Sequence, residues 1–258
     1  MKSAVERRME IVNVVNQDGK ARVEDLADRF SVSSVTIRSD LSFLEKNGYV
    51  VRSHGAAIPN TGVIAELTVH EKRRQNAGIK SLLGQAAAQL IESGDTVILD
   101  SGTTTREIAS NLKNVEDVVV MTNGLDVAME LSSASGVEVL MTGGVLRKNA
   151  LSFSGSQAEN SLKNYRFDKV FLGVDGFDLR SGITTHNEQE ASLNRLMCEI
   201  SEQVIAVADS SKFGKHSCHM IREFGHIDTL VTDSDIPEEY AQGLRDMRVN
   251  LVIVDTKR

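Results

Sequence analysis

Cysteine, proline and long apolar runs are all scarce in this chain of 258 residues, and each scarcity excludes something. Two cysteines, Cys198 and Cys218, are too few for a disulfide framework, so a reducing, cytoplasmic setting is expected. No stretch approaches the roughly 18 apolar residues needed to span a bilayer, and no membrane partner is expected. The opening MKSAVERRME lacks the apolar core of an export signal and runs straight into an amphipathic helix. One of only two prolines sits in Pro59-Asn60-Thr61-Gly62, which reads as a boundary. Neither a GxGxxG fingerprint nor a Walker motif occurs. His216-Ser217-Cys218-His219 gathers three potential metal ligands, but no second cluster offers a fourth. Neither metal nor cofactor is therefore expected.

What remains is an ordinary globular composition, 41% hydrophobic and 25% charged, with a net charge of −7. That charge is unevenly spread. Residues 1–58 hold nine Lys/Arg against eight Asp/Glu, while residues 59–258 hold twenty against twenty-eight. The acidic excess thus lies outside the first 58 residues.

Those residues contain VEDLADRFSVSSVTIRSDLSFLEKNGYVVRSHG, from 23 to 55. Val23, Leu26, Ala27 and Phe30 recur at helical spacing; Ser31-Val32-Ser33 is too short for anything but a turn, and Ser33 suits an N-cap. In the second helix Ile37, Leu41 and Leu44 form a buried stripe. Ser34, Val35, Thr36, Arg38, Ser39, Ser42 and Lys46 lie off that stripe, small, hydroxylated or basic groups suited to a DNA major groove. Tyr49-Val50-Val51 and Ala56-Ala57-Ile58 can pair as a wing around Arg52, Ser53, His54 and Gly55. A first helix over 3–17, with Val5, Met9, Val12 and Val15 inward, and a short strand at 21–23 complete a winged helix-turn-helix. An ordinary helical hairpin has the same local pattern. With a charge of only +1, one such head is a weak electrostatic footprint, so a homo-oligomer, dimer or tetramer, is expected on double-stranded operator DNA.

Residues 59–76, with the charged run EKRRQN, read as a solvated linker or helix start. From 77 to 258 apolar runs at 96–99, 118–121, 137–141, 169–174, 204–208, 229–231 and 251–254 alternate with helical patterns. That predicts an α/β domain with a mainly parallel sheet covered on both faces. Ligands collect beyond the carboxyl ends of such strands. There stand Asp100-Ser101-Gly102-Thr103-Thr104-Thr105, Asn123, Gly143-Gly144, the Asp175 to Asp178 run, Glu188 and Lys212. The threonines and Lys212 suit an anion, whereas Asp100, Asn123, Asp175, Asp178 and Glu188 suit hydroxyl or amino groups. A phosphorylated sugar or amino sugar presents that combination. Helix capping by the threonines, turn chemistry at Asp175 and Asp178, and a surface role for Lys212 are the structural alternatives.

A resemblance sharpens these readings. Arg8-Met9-Glu10-Ile11, Val23-Glu24-Asp25-Leu26-Ala27, Val32-Ser33-Ser34-Val35-Thr36-Ile37-Arg38 and Arg52-Ser53-His54-Gly55-Ala56 resemble the winged helix-turn-helix of DeoR-type bacterial regulators. Asp100-Ser101-Gly102-Thr103-Thr104, Thr122-Asn123, Gly143-Gly144, Gly176-Phe177-Asp178 and Ala208-Asp209-Ser210-Ser211-Lys212-Phe213 resemble that family's effector domain, which is similar to ribose-5-phosphate isomerase. The run GVDGFDLRSGITTHNEQEA looks most like the branch regulating N-acetylgalactosamine, galactosamine or sorbitol uptake, with the amino sugar favoured. The resemblance implies a repressor released by a sugar phosphate, and no enzymatic activity. It also implies a rival, a sugar-phosphate isomerase or deaminase using Asp175, Asp178, Glu188 and Lys212. Two departures stand out: Ser39 follows Arg38 where the family commonly has a second arginine, and Ala56 stands where its wing usually has a second glycine.

Overall fold

Alternation of apolar residues accounts for both units of the chain, Met1–Glu66 and Leu67–Arg258. The computed structural model describes residues 4–46, 49–53, 55–59, 67–179 and 181–256. In the first unit, α1 (Ala4–Asp18) buries Ile11, Val14 and Val15. Met9 and Val12, expected on that face, are only half-buried, and the side chain of Val5 lies outside the described set. The inward stripe instead continues through Arg7, which is 8% exposed and which apolar spacing passes over.

α2 (Val23–Phe30) ends at Ser31, whose φ of 52° is left-handed and whose N–H reaches the Ala27 and Asp28 carbonyls. α3 (Ser34–Lys46) then starts at Ser33, whose hydroxyl accepts the Thr36 N–H at 3.2 Å. This is the cap its sequence predicted. Ile37, Leu41 and Leu44 of α3 share one core with Leu26 and Val15. Each contributes roughly 1.5–3 kcal/mol by burial, a large share for so small a unit. β1 (Ala21–Arg22) and β2 (Val50–Ser53) flank β3 (Ala56–Pro59), all antiparallel, with Ala21 opposite Ala57 and Val51 opposite Ile58. This ribbon is the expected wing, and the unit is a winged helix-turn-helix.

The second unit opens with α4 (Val69–Arg74), begun by a reciprocal cap between Thr68 and Glu71, and α5 (Ala77–Ala88). Seven strands follow as one parallel sheet: β4 (Thr96–Leu99), β5 (Val118–Thr122), β6 (Val137–Met141), β9 (Phe167–Gly173), β12 (Ser201–Val207), β14 (Thr229–Asp233) and β15 (Asn250–Val254). Their order is β15-β14-β12-β9-β4-β5-β6. Successive side chains leave a strand on opposite faces. Val97 and Leu99 therefore join one core while Ile98 joins the other, and Phe171 parts likewise from Val170 and Leu172. Both faces are dry, which is why the apolar runs were uninterrupted.

On one face lie α5, α6 (Thr103–Ser110) and α7 (Leu125–Leu131), burying Leu83, Ile108 and Leu131. On the other lie α8 (Ser156–Leu162), α9 (Glu188–Glu199) and α10 (Glu238–Asp246), burying Leu162, Met197 and Leu244. Helices α5 and α6 touch backbone to backbone at Gly84, where a β-carbon would stand 2.5 Å from that of Glu107. Short pieces not foreseen from periodicity complete the unit. β7 (Val145–Arg147) and β8 (Ser152–Ser154) form a hairpin; β10 (Gly176–Asp178), β11 (Gly182–Thr185) and β13 (His219–Arg222) form a small antiparallel sheet.

Candidate functional site

Two surfaces carry the polar residues singled out by the sequence, one in each unit. In the first, burial of Ile37, Leu41 and Leu44 turns the opposite side of α3 outward. Val35 is 70% exposed, a large apolar side chain left in water at the start of a helix. Arg38, Ser39 and Ser42 are exposed with it, and Ser34 and Thr36 are half-exposed at the helix N-terminus. The Ser42 hydroxyl accepts a 2.8 Å bond from the Arg52 guanidinium of the wing. Glu45 receives the Arg52 backbone N–H at 3.3 Å and faces its guanidinium at 3.7 Å. Wing and α3 are thereby tied together across residues 42, 45 and 52. Lys46 occupies the last position of α3. His54 lies outside the described residues.

The second surface is a crevice built by topology. β4 leads outward through β5 to β6, whereas β9 leads the other way through β12 to β14 and β15. The chain reverses between β4 and β9, and the gap beyond their carboxyl ends is the switch point where open α/β sheets bind ligands. Asp100, Ser101, Gly102, Thr103 and Thr104 line it after β4; Gly173, Val174 and Asp175 line it after β9; Lys212 lines it after β12. Lys72, Lys80, Thr185, Glu190 and Asn194 complete the wall.

The crevice is sorted by charge. At one pole, the Lys72 ammonium donates to the Asp175 carboxylate at 2.5 Å, and the Thr185 hydroxyl donates to its other oxygen at 3.1 Å. Burial opposes ionisation of Asp175, but the charges of Lys72, Lys212 and His186 together hold its carboxyl well below the usual carboxylate range. Lys80 donates to the carbonyls of Lys72 and Gln75 at 2.5 and 2.7 Å. Burial first, then the charge of Lys212, pushes the Lys80 ammonium down to about 8. Lys212 sits on a single 3-10 turn, Ser210–Lys212, begun by Asp209. The Asp209 carboxylate takes 2.8 Å from the Asn76 amide and so joins that turn to the start of α5.

At the other pole stands Asp100, 4% exposed. Burial, then the charge of Glu190, pushes its carboxyl up to about 7. Asn194 donates to it at 3.2 Å, while the Asn194 carbonyl oxygen is buried and, among the described residues, accepts no hydrogen bond. Glu190 is held from behind by Arg147 and the Ser152 hydroxyl. This pole therefore offers acceptors for hydroxyl or amino donors of a ligand.

Other expected site residues stand back from the lining. Thr105 is fully buried and donates to the Gly102 carbonyl at 3.0 Å. Asn123, also fully buried, accepts the Ser101 N–H at 2.8 Å and so fixes the loop that carries Ser101. Gly143 and Gly144 turn the chain into β7; at Gly144, with φ of 107°, a β-carbon would stand 2.6 Å from the Ser154 carbonyl oxygen. Asp178 accepts the Ser181 N–H at 2.9 Å across the β10–β11 turn. Glu188 pairs with Arg195 at 2.9 Å and His219 at 2.5 Å on the surface. The sequence reading passed over Lys72, Lys80, Glu190 and Asn194. Lys72 lies in the stretch read as a linker or helix start, Lys80 interrupts an apolar helix face, and Glu190 and Asn194 lie four apart on the inward side of α9. Among the described residues, no group of three or more His, Cys, Asp or Glu could hold a metal ion, and no helix is long and apolar enough to cross a membrane.

Residues 75–234 match the family model described as the DeoR C terminal sensor domain, and residues 7–62 match the DeoR-like helix-turn-helix domain. Over 251 residues the chain is 49% identical to a protein of Escherichia coli O157:H7 named for repression of the aga operon, covering 96% of this chain and 93% of that one. It is 35% identical to the HTH-type transcriptional repressor GlcR of Bacillus subtilis, covering 88% of each. A ribose 5-phosphate isomerase from Methanocaldococcus jannaschii superposes with a TM-score of 0.41 at 14% identity, over 54% of this chain and 55% of that one, a likeness too loose to bear on activity.

Proposed function

The chain belongs to the DeoR family of transcriptional regulators, and from that premise we propose that it represses a carbohydrate-utilisation operon. It is released, on this reading, when a phosphorylated sugar or amino sugar fills the crevice of its sensor unit. The observation that carries the proposal is the charge sorting of that crevice, with Lys72, Lys80 and Lys212 at one pole and Asp100 with the open Asn194 oxygen at the other. Lysines suit a phosphate monoester, and buried acceptors suit the hydroxyls or amine of the sugar. The names of the aga operon repressor and of GlcR support sugar control, and the first supports an amino sugar. A cytoplasmic setting follows from work on chromosomal DNA.

The head supports the DNA half of the proposal through its exposed α3 face, and its poverty of charge points to more than one head per complex. Nine basic against eight acidic residues give one head little pull on phosphate, so two or more heads act together in a homo-oligomer. The effector binds one arrangement of that assembly better than the other and shifts the population away from DNA. In the rival isomerase or deaminase reading Asp178 and Glu188 would do chemistry, yet both are engaged outside the crevice. Thermal unfolding with hexose, hexosamine and hexitol 6-phosphates tests the sensor reading. A selective ligand raises the midpoint of the sensor unit and dissociates the chain from DNA. Absence of any stabilising phosphate ester, or steady turnover of one at enzyme-like rates, sinks the proposal.

A further inference from the structure

We propose that Asp40 is a positioning residue for DNA reading, held between Arg7 and Arg8 so that it fixes the roll of α3. The inference rests on the DNA-binding role argued above. Asp40 lies in the buried stripe of α3 between Ile37 and Leu44 and is 1% exposed, a lone carboxylate in an otherwise apolar contact. Both of its oxygens are taken from α1. Oδ2 accepts from Arg7 Nε at 2.6 Å, and Oδ1 accepts from Arg8 Nε at 2.7 Å. The Arg8 guanidinium also lies 4.0 Å over the Phe43 ring, one turn further along α3.

The physical case is one of direction. Ile37, Leu41 and Leu44 hold α3 down, but apolar contact is non-directional and tolerates rotation of a helix about its axis. Charge-assisted hydrogen bonds that engage both carboxylate oxygens do not tolerate it. Side chains on a helix reach about 5–6 Å from its axis, so a roll of about 15° carries their tips about 1.5 Å. That displacement breaks a hydrogen bond to a base edge, whose useful window is about half an ångström.

A buried ion pair is weak evidence for stability, and in some proteins such a pair selects a single arrangement, the role assigned to it here. Here it also has an electrostatic consequence. Arg7 and Arg8 share the one Asp40 carboxylate, and Arg52 faces Glu45, so part of the head's positive charge serves geometry before it meets phosphate.

The test uses the full chain. Duplexes selected from a random pool by the unaltered protein supply a specific probe, and a random duplex of equal length supplies the reference. Failure to enrich any sequence would sink the DNA-reading function itself rather than the role of Asp40. Asp40→Asn is expected to lower the ratio of specific to random affinity about tenfold, the cost of one misplaced base contact. The random duplex is bound as well as before or better, because two guanidinium charges lose their carboxylate. Arg8→Gln changes a half-exposed position, removes one arm and moves the ratio the same way by less; Arg8→Lys restores part of it. Loss of folding would instead lower both affinities by the same factor. The proposal is overturned if folded variants, checked by circular dichroism, show that parallel loss or an unchanged ratio. Should Asp40→Asn fail to fold, the Arg8 pair decides by the same criteria.

Discussion

Asp100→Asn changes the pH dependence of stability in a direction set by the crevice. Burial and the neighbouring Glu190 raise the Asp100 carboxyl from 3.8 to about 7 in the folded chain. Between those values the unfolded chain has already lost the proton that the folded chain keeps. The folded state then binds more protons, so this residue makes stability fall as pH rises through the window and levels off above about 7. At about 1.4 kcal/mol for each tenfold change in proton activity, the loss accumulates to about 4 kcal/mol. Asparagine keeps the shape and cannot titrate. The stability of Asp100→Asn relative to the parent should therefore improve by about 4 kcal/mol between pH 4 and pH 8, or about 10 °C in the midpoint of a unit this size. Scanning calorimetry of both proteins across that range reads the difference directly. Asp175 and Asp209, whose carboxyls are lowered, titrate with the opposite sign but are present in both proteins and cancel. Parallel profiles for variant and parent would refute the reasoning, because they would mean that Asp100 ionises normally in the fold.

Three further outcomes follow from the two surfaces. Arg38→Ala removes an exposed cation of α3 and should cost DNA affinity about 1–3 kcal/mol while leaving thermal stabilisation by the phosphate ester intact, measured by fluorescence anisotropy and melting. Lys212→Ala should weaken that ester by about 1.5–3 kcal/mol, the worth of a hydrogen bond to a charged group, without changing DNA affinity; calorimetric titration measures it. Glu45→Gln removes the carboxylate facing Arg52, frees the guanidinium for phosphate, and should both raise DNA affinity and steepen its fall with salt, as seen in binding isotherms from low to moderate ionic strength.

Much of the site was legible where function and local sequence coincide. Asp100 to Thr104, Asp175 and Lys212 meet in one crevice because each follows a strand of the same sheet, and strand ends can be read from apolar runs. Lys72, Lys80, Glu190 and Asn194 were not legible. They come from helices α4, α5 and α9, where a polar residue in sequence is indistinguishable from one facing solvent. The same blindness hid the Arg7–Asp40–Arg8 contact, because helical periodicity counts a charged residue as an outward one. Asn123 and Asp178 show the converse. Both have the chemistry of ligand contacts, yet Asn123 supports a loop and Asp178 a turn.

By itself, then, the sequence determined what repeats locally. Alternating apolar runs and helices dictate a parallel sheet covered on both faces, and the Ile37, Leu41 and Leu44 stripe behind Ser33 dictates a capped helix with one buried side. Those signals survive because burial and capping act over a few residues. Only the tertiary structure decided which strands are neighbours, and therefore that β4 and β9 open a crevice at their reversal. Only it decided that Lys72 meets Asp175 across 103 positions and that Asp40 meets Arg7 across 33. Charge pairing at such separations depends on the closure of the whole fold, and no local pattern encodes it.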